Sequence, residues 1–217
     1  ALQQMNPSAL QLDPRLYQYG GLWIYPVGAL LKACCMVGMI VLRADKAFYY
    51  DNPEAFGRFY VVARCYTLAW YALGMWLSAM AVKRMTGNDF AAIVAAALVG
   101  AAPAVFAMAH EAKPHLPGAV LTLAACLAAD RWTRDMRKRY AVLAGALAGA
   151  AAGMVLSAVI AGSILLVMVL IKSTTWVHRI GTFALAVATA ELVFVVTNPY
   201  VVLHLVKPVS YTHLTLP

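Results

Sequence analysis

The sequence predicts an all-α protein: a polytopic bundle of transmembrane helices with one outer helix lying along the membrane surface. Two observations carry this expectation. The 217 residues are 63% hydrophobic and only 12% charged, with a mean hydropathy of +0.74, more apolar surface than a water-soluble domain of this size can hide. The charges also fall in short islands between long runs of Ala, Val, Leu, Gly and Met, and a run of roughly 20 apolar residues is what a bilayer core requires.

Residues 1–21 are polar and turn-rich, with Asn6-Pro7, Asp13-Pro14 and Gly20-Gly21, so a loop is expected there. Residues 22–42 are apolar and long enough to cross, but Lys32 lies at their midpoint. A lone ammonium at the bilayer centre costs about 3 kcal/mol on insertion scales. On a helix, Tyr25, Gly28, Ala29, Lys32, Cys35 and Met36 share one face, which places this segment at the interface with Lys32 toward the headgroups. Asp51-Asn52-Pro53-Glu54 reads as a turn and helix start, so residues 1–58 form an outer loop. Spans follow at 59–82 and 90–109, separated by the Thr86-Gly87-Asn88-Asp89 turn, and a shorter one at 116–129. As one helix, residues 141–171 would be roughly 46 Å long, too long for a single straight crossing. A pair of short helices turning near Ser157–Gly162 is expected instead. A last span occupies 180–197 and ends at Asn198-Pro199-Tyr200.

The net charge of +8 does not point to nucleic acid, because the basic residues cluster at the ends of apolar runs. There they fix orientation and meet anionic lipid. By the positive-inside rule, Lys83-Arg84, Asp130–Arg139 and Lys172–Arg179 are cytoplasmic. Residues 1–58, His110–Pro117 and Asn198–Tyr200 then lie outside, provided residues 22–42 do not cross. Cys34, Cys35, Cys65 and Cys126 sit in apolar stretches without metal-ligand spacing and read as small packing residues. The chain opens at Ala1 in polar sequence, without a Met or a signal peptide. The residues Val209-Ser210-Tyr211-Thr212-His213-Leu214 are what the end sequence of a common sequencing transposon encodes. Residues 209–217 are therefore expected to be a reading artefact, and the remainder an internal piece of a longer protein.

The densest ionisable group at an outer boundary is His110-Glu111-Ala112-Lys113-Pro114-His115. A histidine, a carboxylate and a lysine at the mouth of a bundle can bind phosphate or handle a proton. They can equally form a plain solvated loop. The two histidines are five apart with Pro114 between them, which does not fit a zinc-protease helix, and no metal-ligand set is visible. Arg64 lies inside its span, where it must snorkel, pair with a carboxylate such as Glu191, or meet an anionic ligand. Tyr17, Tyr19, Trp23 and Tyr25 have the pattern of an interfacial aromatic belt. Gly145, Gly149 and Gly153 form a small-xxx-small stripe, read as close helix packing.

With these residues in view, Met5-Asn6-Pro7 followed by Tyr19-Gly20-Gly21-Leu22-Trp23-Ile24-Tyr25 resembles the first outer loop of GT-C glycosyltransferases. The groups it is most similar to are the dolichyl-phosphate-mannose protein mannosyltransferases and the bacterial aminoarabinose transferases. The resemblance extends through Arg64, the His110–His115 loop, the glycine-rich run from Gly145 to Ser157 and Asn198-Pro199-Tyr200. It departs from the family pattern at His115, where Asp is common, and at Ser157-Ala158, where a lysine is often found. The resemblance implies transfer of a sugar from a polyprenyl-phosphate donor to a lipid, glycan or protein acceptor at the periplasmic or luminal face. A bacterial cytoplasmic membrane is the expected location. The catalytic acidic pair of the family would precede Ala1. Arg64, Lys113 and His115 become donor-phosphate candidates, and Tyr19, Tyr25, His110, Glu111, Asn198 and Tyr200 line the cavity. No cofactor beyond the lipid-linked donor is implied, and dependence on a divalent metal is left open. The alternatives are a multi-span transporter or channel subunit, which needs polar residues at mid-membrane, and a scaffold, which needs no reactive cluster.

Overall fold

The computed structural model describes residues 13–14, 18–43, 45, 47–172 and 174–203. The expected artefact at 209–217, Met5-Asn6-Pro7 and Tyr17 lie outside these. Among the described residues the fold is all helical: α1 (Gly21–Met36), α2 (Ala47–Asp51), α3 (Pro53–Thr86), α4 (Asp89–Ala101), α5 (Pro103–His110), α6 (His115–Asp135) and α7 (Lys138–Met154) lead to a 3-10 turn (Leu156–Ala161). Then come α8 (Gly162–Ile171), α9 (Trp176–Thr197) and α10 (Pro199–Leu203).

Among the described residues two helices, α3 and α9, are long and apolar enough to cross a membrane, and α4 with α5 makes a third if the bent pair is one span. The most apolar stretch of α9 has a mean hydropathy of 2.0, yet only 11% of it is buried inside the protein. Phe90, Ile93, Leu98, Val177 and Val196 likewise stand exposed. Apolar helices left uncovered by their own chain need lipid around them. This is a membrane protein.

Local chemistry sets the boundaries. Helix α3 starts with Pro53 in its first turn and Glu54 at its positive end, and finishes on Lys83, Arg84 and a left-handed Gly87 (φ 70°). The Asn88 side chain then accepts from Phe90 N–H at 2.8 Å and Ala91 N–H at 3.2 Å, capping α4. Helix α1 is shorter than the expected 22–42. Gly38 takes φ 74°, and Met39 N–H reaches back to the Cys34 carbonyl at 2.9 Å, closing the helix in a Schellman turn. Its 16 residues span about 24 Å, less than the hydrocarbon core. Trp23, Ile24, Val27 and Leu31 are buried, while Ala29, Lys32 and Met36 are exposed, so Lys32 turns away from the protein. Trp23 itself is buried against Tyr66, ring centres 5.4 Å apart; it packs the core rather than joining an interfacial belt.

The straight helix expected at 90–109 is two helices meeting at 61°. Pro103 forces Ala102 into extended backbone (ψ 122°) and cannot continue the hydrogen-bond ladder. The expected turn near Ser157–Gly162 begins earlier, at Val155, whose φ −151° and ψ 132° end α7. Cys65 and Cys126 face outward instead of packing, and all four thiols are free.

Helices α6 and α7 form the centre of the molecule, with α9 against α7 and α3 against α6. The glycine stripe is the α7–α9 contact. A Cβ on Gly145 would fall on the Ala186 carbonyl, and one on Gly149 on the Ala190 carbonyl. Because 145 meets 186 and 149 meets 190, the two helices run in the same direction. Both begin at a basic island, Arg137-Lys138-Arg139 for α7 and Lys172–Arg179 for α9. Both end beside each other roughly 25 Å away.

Candidate functional site

The far ends of α7 and α9 are where distant parts of the chain converge. A helix that stops leaves its last carbonyls without partners. At the end of α7 the Met154 carbonyl accepts from Gly20 N–H at 2.9 Å, and Tyr19 pairs with Val155 in a single antiparallel bridge. At the end of α9, Asn198 turns its amide inward. Its Oδ1 accepts from Gly21 N–H at 2.7 Å, while Nδ2 donates to Thr197 Oγ1 at 2.9 Å and to the Phe194 carbonyl at 3.2 Å. Asn198 therefore supplies the acceptor that the first N–H of α1 lacks within its own helix.

Only glycine fits this wedge. A Cβ on Gly20 would fall on the Gly153 carbonyl and one on Gly21 on the Thr197 carbonyl. The dipeptide read from sequence simply as a turn is the thinnest backbone available, inserted between two helix ends.

Around the wedge, Pro14, Tyr19, Gly21, Tyr25, Asn198, Tyr200 and Val201 line a cavity of about 10 Å³, room for one water. Burial, and then the nearby Tyr200 and Asp13, push the Tyr25 phenol above its ordinary value, so it stays a neutral hydroxyl able to donate. Tyr19 also meets His115 edge-on, ring centres 6.3 Å apart, which brings the start of α6 to the same place.

The structure thus brings together Tyr19, Tyr25, His115, Asn198 and Tyr200. Lys113 and Glu111 form an exposed ion pair at 3.2 Å, of a kind worth at most about 1 kcal/mol and readily exchanged for another anion. His110 donates through Nδ1 to the Phe106 carbonyl at 2.8 Å and packs on the Phe106 ring, away from the wedge contacts. Arg64 stands on the exposed stripe of α3 with Tyr60, Val61 and Leu68, opposite the buried Ala63 and Thr67. It makes no hydrogen bond or ion pair among the described residues, and Glu191, also exposed, does not pair with it. Arg64 is nevertheless within one helical turn of Tyr66, which touches Trp23 just beyond the wedge. Among the described residues no group of three or more His, Cys, Asp or Glu could hold a metal ion.

No family model, curated protein or solved structure matches this chain.

Proposed function

We propose that this chain is part of a polytopic membrane glycosyltransferase of the GT-C kind, with α1 as its outer juxtamembrane helix. It moves a sugar from a polyprenyl-phosphate donor to an acceptor at the periplasmic face of a bacterial cytoplasmic membrane. The observation that carries this reading is the meeting of Tyr19-Gly20-Gly21 with Val155, Asn198 and His115 at one end of the molecule, away from the basic starts of α7 and α9. Such an end gathers polar and aromatic side chains beside a lipid-facing surface, which is what a lipid-linked substrate needs.

In this reading Arg64, on the outward face of α3 and free of partners in the described chain, meets the donor phosphate where charge accumulates as the sugar leaves. Lys113, on the loop between α5 and α6, and His115, the first residue of α6, are the further phosphate ligands in this reading. Tyr25, Asn198 and Tyr200 line the sugar or acceptor cavity once it opens.

The test uses membranes carrying the full-length protein and a radiolabelled polyprenyl-phosphate sugar. Arg64→Ala lowers transfer by about a hundredfold or more with unchanged insertion. Transfer at the wild-type rate removes Arg64 from the mechanism and, with it, the main chemical support for a transferase.

A further inference from the structure

At the opposite end, the two basic islands meet through a ring stack: the Trp132 indole of α6 and the His178 imidazole of α9 lie 6.2 Å apart and 13° from parallel. Three neighbouring cations already have partners. Arg131 pairs with Asp135 at 2.8 Å, Arg134 with Asp130 at 3.0 Å, and Arg139 donates to the Tyr140 hydroxyl at 2.9 Å.

Arg179 differs. It is half-buried, lies over the Trp176 ring at 5.1 Å, and donates through Nη2 only to the Lys172 carbonyl at 2.9 Å. No carboxylate pairs with it among the described residues. Its Nε–H, the indole N–H of Trp132 and Nε2 of His178 are buried without a hydrogen-bond partner among the described residues, and Trp132 is 0% exposed.

Buried donors without acceptors are rare, and a half-buried guanidinium without a counter-ion is costly. Two of the three atoms can only donate, and the third donates once its imidazole is protonated there. The missing partner is therefore an acceptor, and the uncompensated Arg179 charge makes it an anion. We propose that Trp132, His178 and Arg179 form a binding site for one phosphate-bearing anion at the basic end of the protein. A phospholipid headgroup and inorganic phosphate share the chemistry it reads. The site lies at the other end from the proposed transfer cavity, and its failure leaves that reading standing.

The experiment follows the whole chain, released into mild detergent, by native mass spectrometry with phosphatidylglycerol or phosphatidylcholine added, and by thermal unfolding with inorganic phosphate. Wild-type protein retains one phosphatidylglycerol and no phosphatidylcholine, or is stabilised by phosphate that displaces the lipid. The first result assigns the site to a headgroup and the second to the phosphate group alone. Trp132→Phe, which keeps the ring stack and removes the N–H, and Arg179→Gln each cut binding about tenfold, the loss of one charge-assisted hydrogen bond. Arg134→Gln, whose charge is already neutralised by Asp130, does not. Equal binding in Trp132→Phe, Arg179→Gln and wild type overturns the proposal, as does wild-type protein that binds neither anion.

Discussion

Asn198 joins two helices through one buried amide, whose orientation decides the bond to Gly21. The carbonyl oxygen serves α1 at Gly21 while the amide nitrogen stays on the last turn of α9. Asn198→Ala leaves the Gly21 N–H buried and unpaired, an effect of about 1–3 kcal/mol. The expected outcome is a lower unfolding temperature in detergent, with faster hydrogen exchange confined to Gly20–Ile24. Exchange that stays slow there would mean the backbone bond from Gly20 to Met154 holds the wedge unaided. Tyr25 shows the same economy of polar atoms: burial and its neighbours keep the phenol protonated, so its hydroxyl is a hydrogen-bond donor across the neutral pH range.

At the scale of elements, the α7–α9 pair is held by closeness of backbone rather than by large side chains. Gly145 and Gly149 face Ala186 and Ala190 so tightly that no Cβ fits, and in lipid such packing replaces the hydrophobic drive available in water. Gly149→Val should destabilise by about 1–3 kcal/mol through overpacking. Gly162, with helical φ −60° and nothing near its missing Cβ, is the internal contrast. Gly162→Ala should be neutral or stabilise by about 0.4–1 kcal/mol. Thermal unfolding of the two variants, measured side by side, checks both. A Gly149→Val protein as stable as wild type would show that α7 and α9 can separate at no cost. The bend between α4 and α5 has a different origin, since one proline imposes it locally.

For the whole molecule the decisive property is its two ends. Tyr19, His115, Val155 and Asn198 share one, and Trp132, His178 and the surrounding cations share the other. Single cysteines at Tyr19 and His115, in a protein otherwise stripped of thiols, should react with an impermeant maleimide from the same side of intact membranes. Cysteines at Arg134 and Trp176 should react only from the opposite side. Labelling of His115 and Arg134 from one side would contradict a crossing by α6, which carries both residues, and the outer placement of the proposed cavity.

Much of this was readable beforehand. The apolar runs and charged islands marked the helices, and Lys32 with its neighbours marked the outward face of α1, because hydropathy and its period report directly on what must avoid water. The stripe Gly145–Gly149–Gly153 announced a close contact without naming α9 as the partner. Pro103 was present in the sequence but masked by a continuous apolar run, which signals length and not direction. The role of Gly20-Gly21 and the unpaired donors at Trp132, His178 and Arg179 were not legible at all, while the outward setting of Arg64 was one of three readings its sequence position allowed. Composition and periodicity belong to single helices and are settled by the solvent each one meets. Which backbone atoms lie against each other is settled only when helices from opposite ends of the chain pack, and both ends of this molecule are built from such meetings.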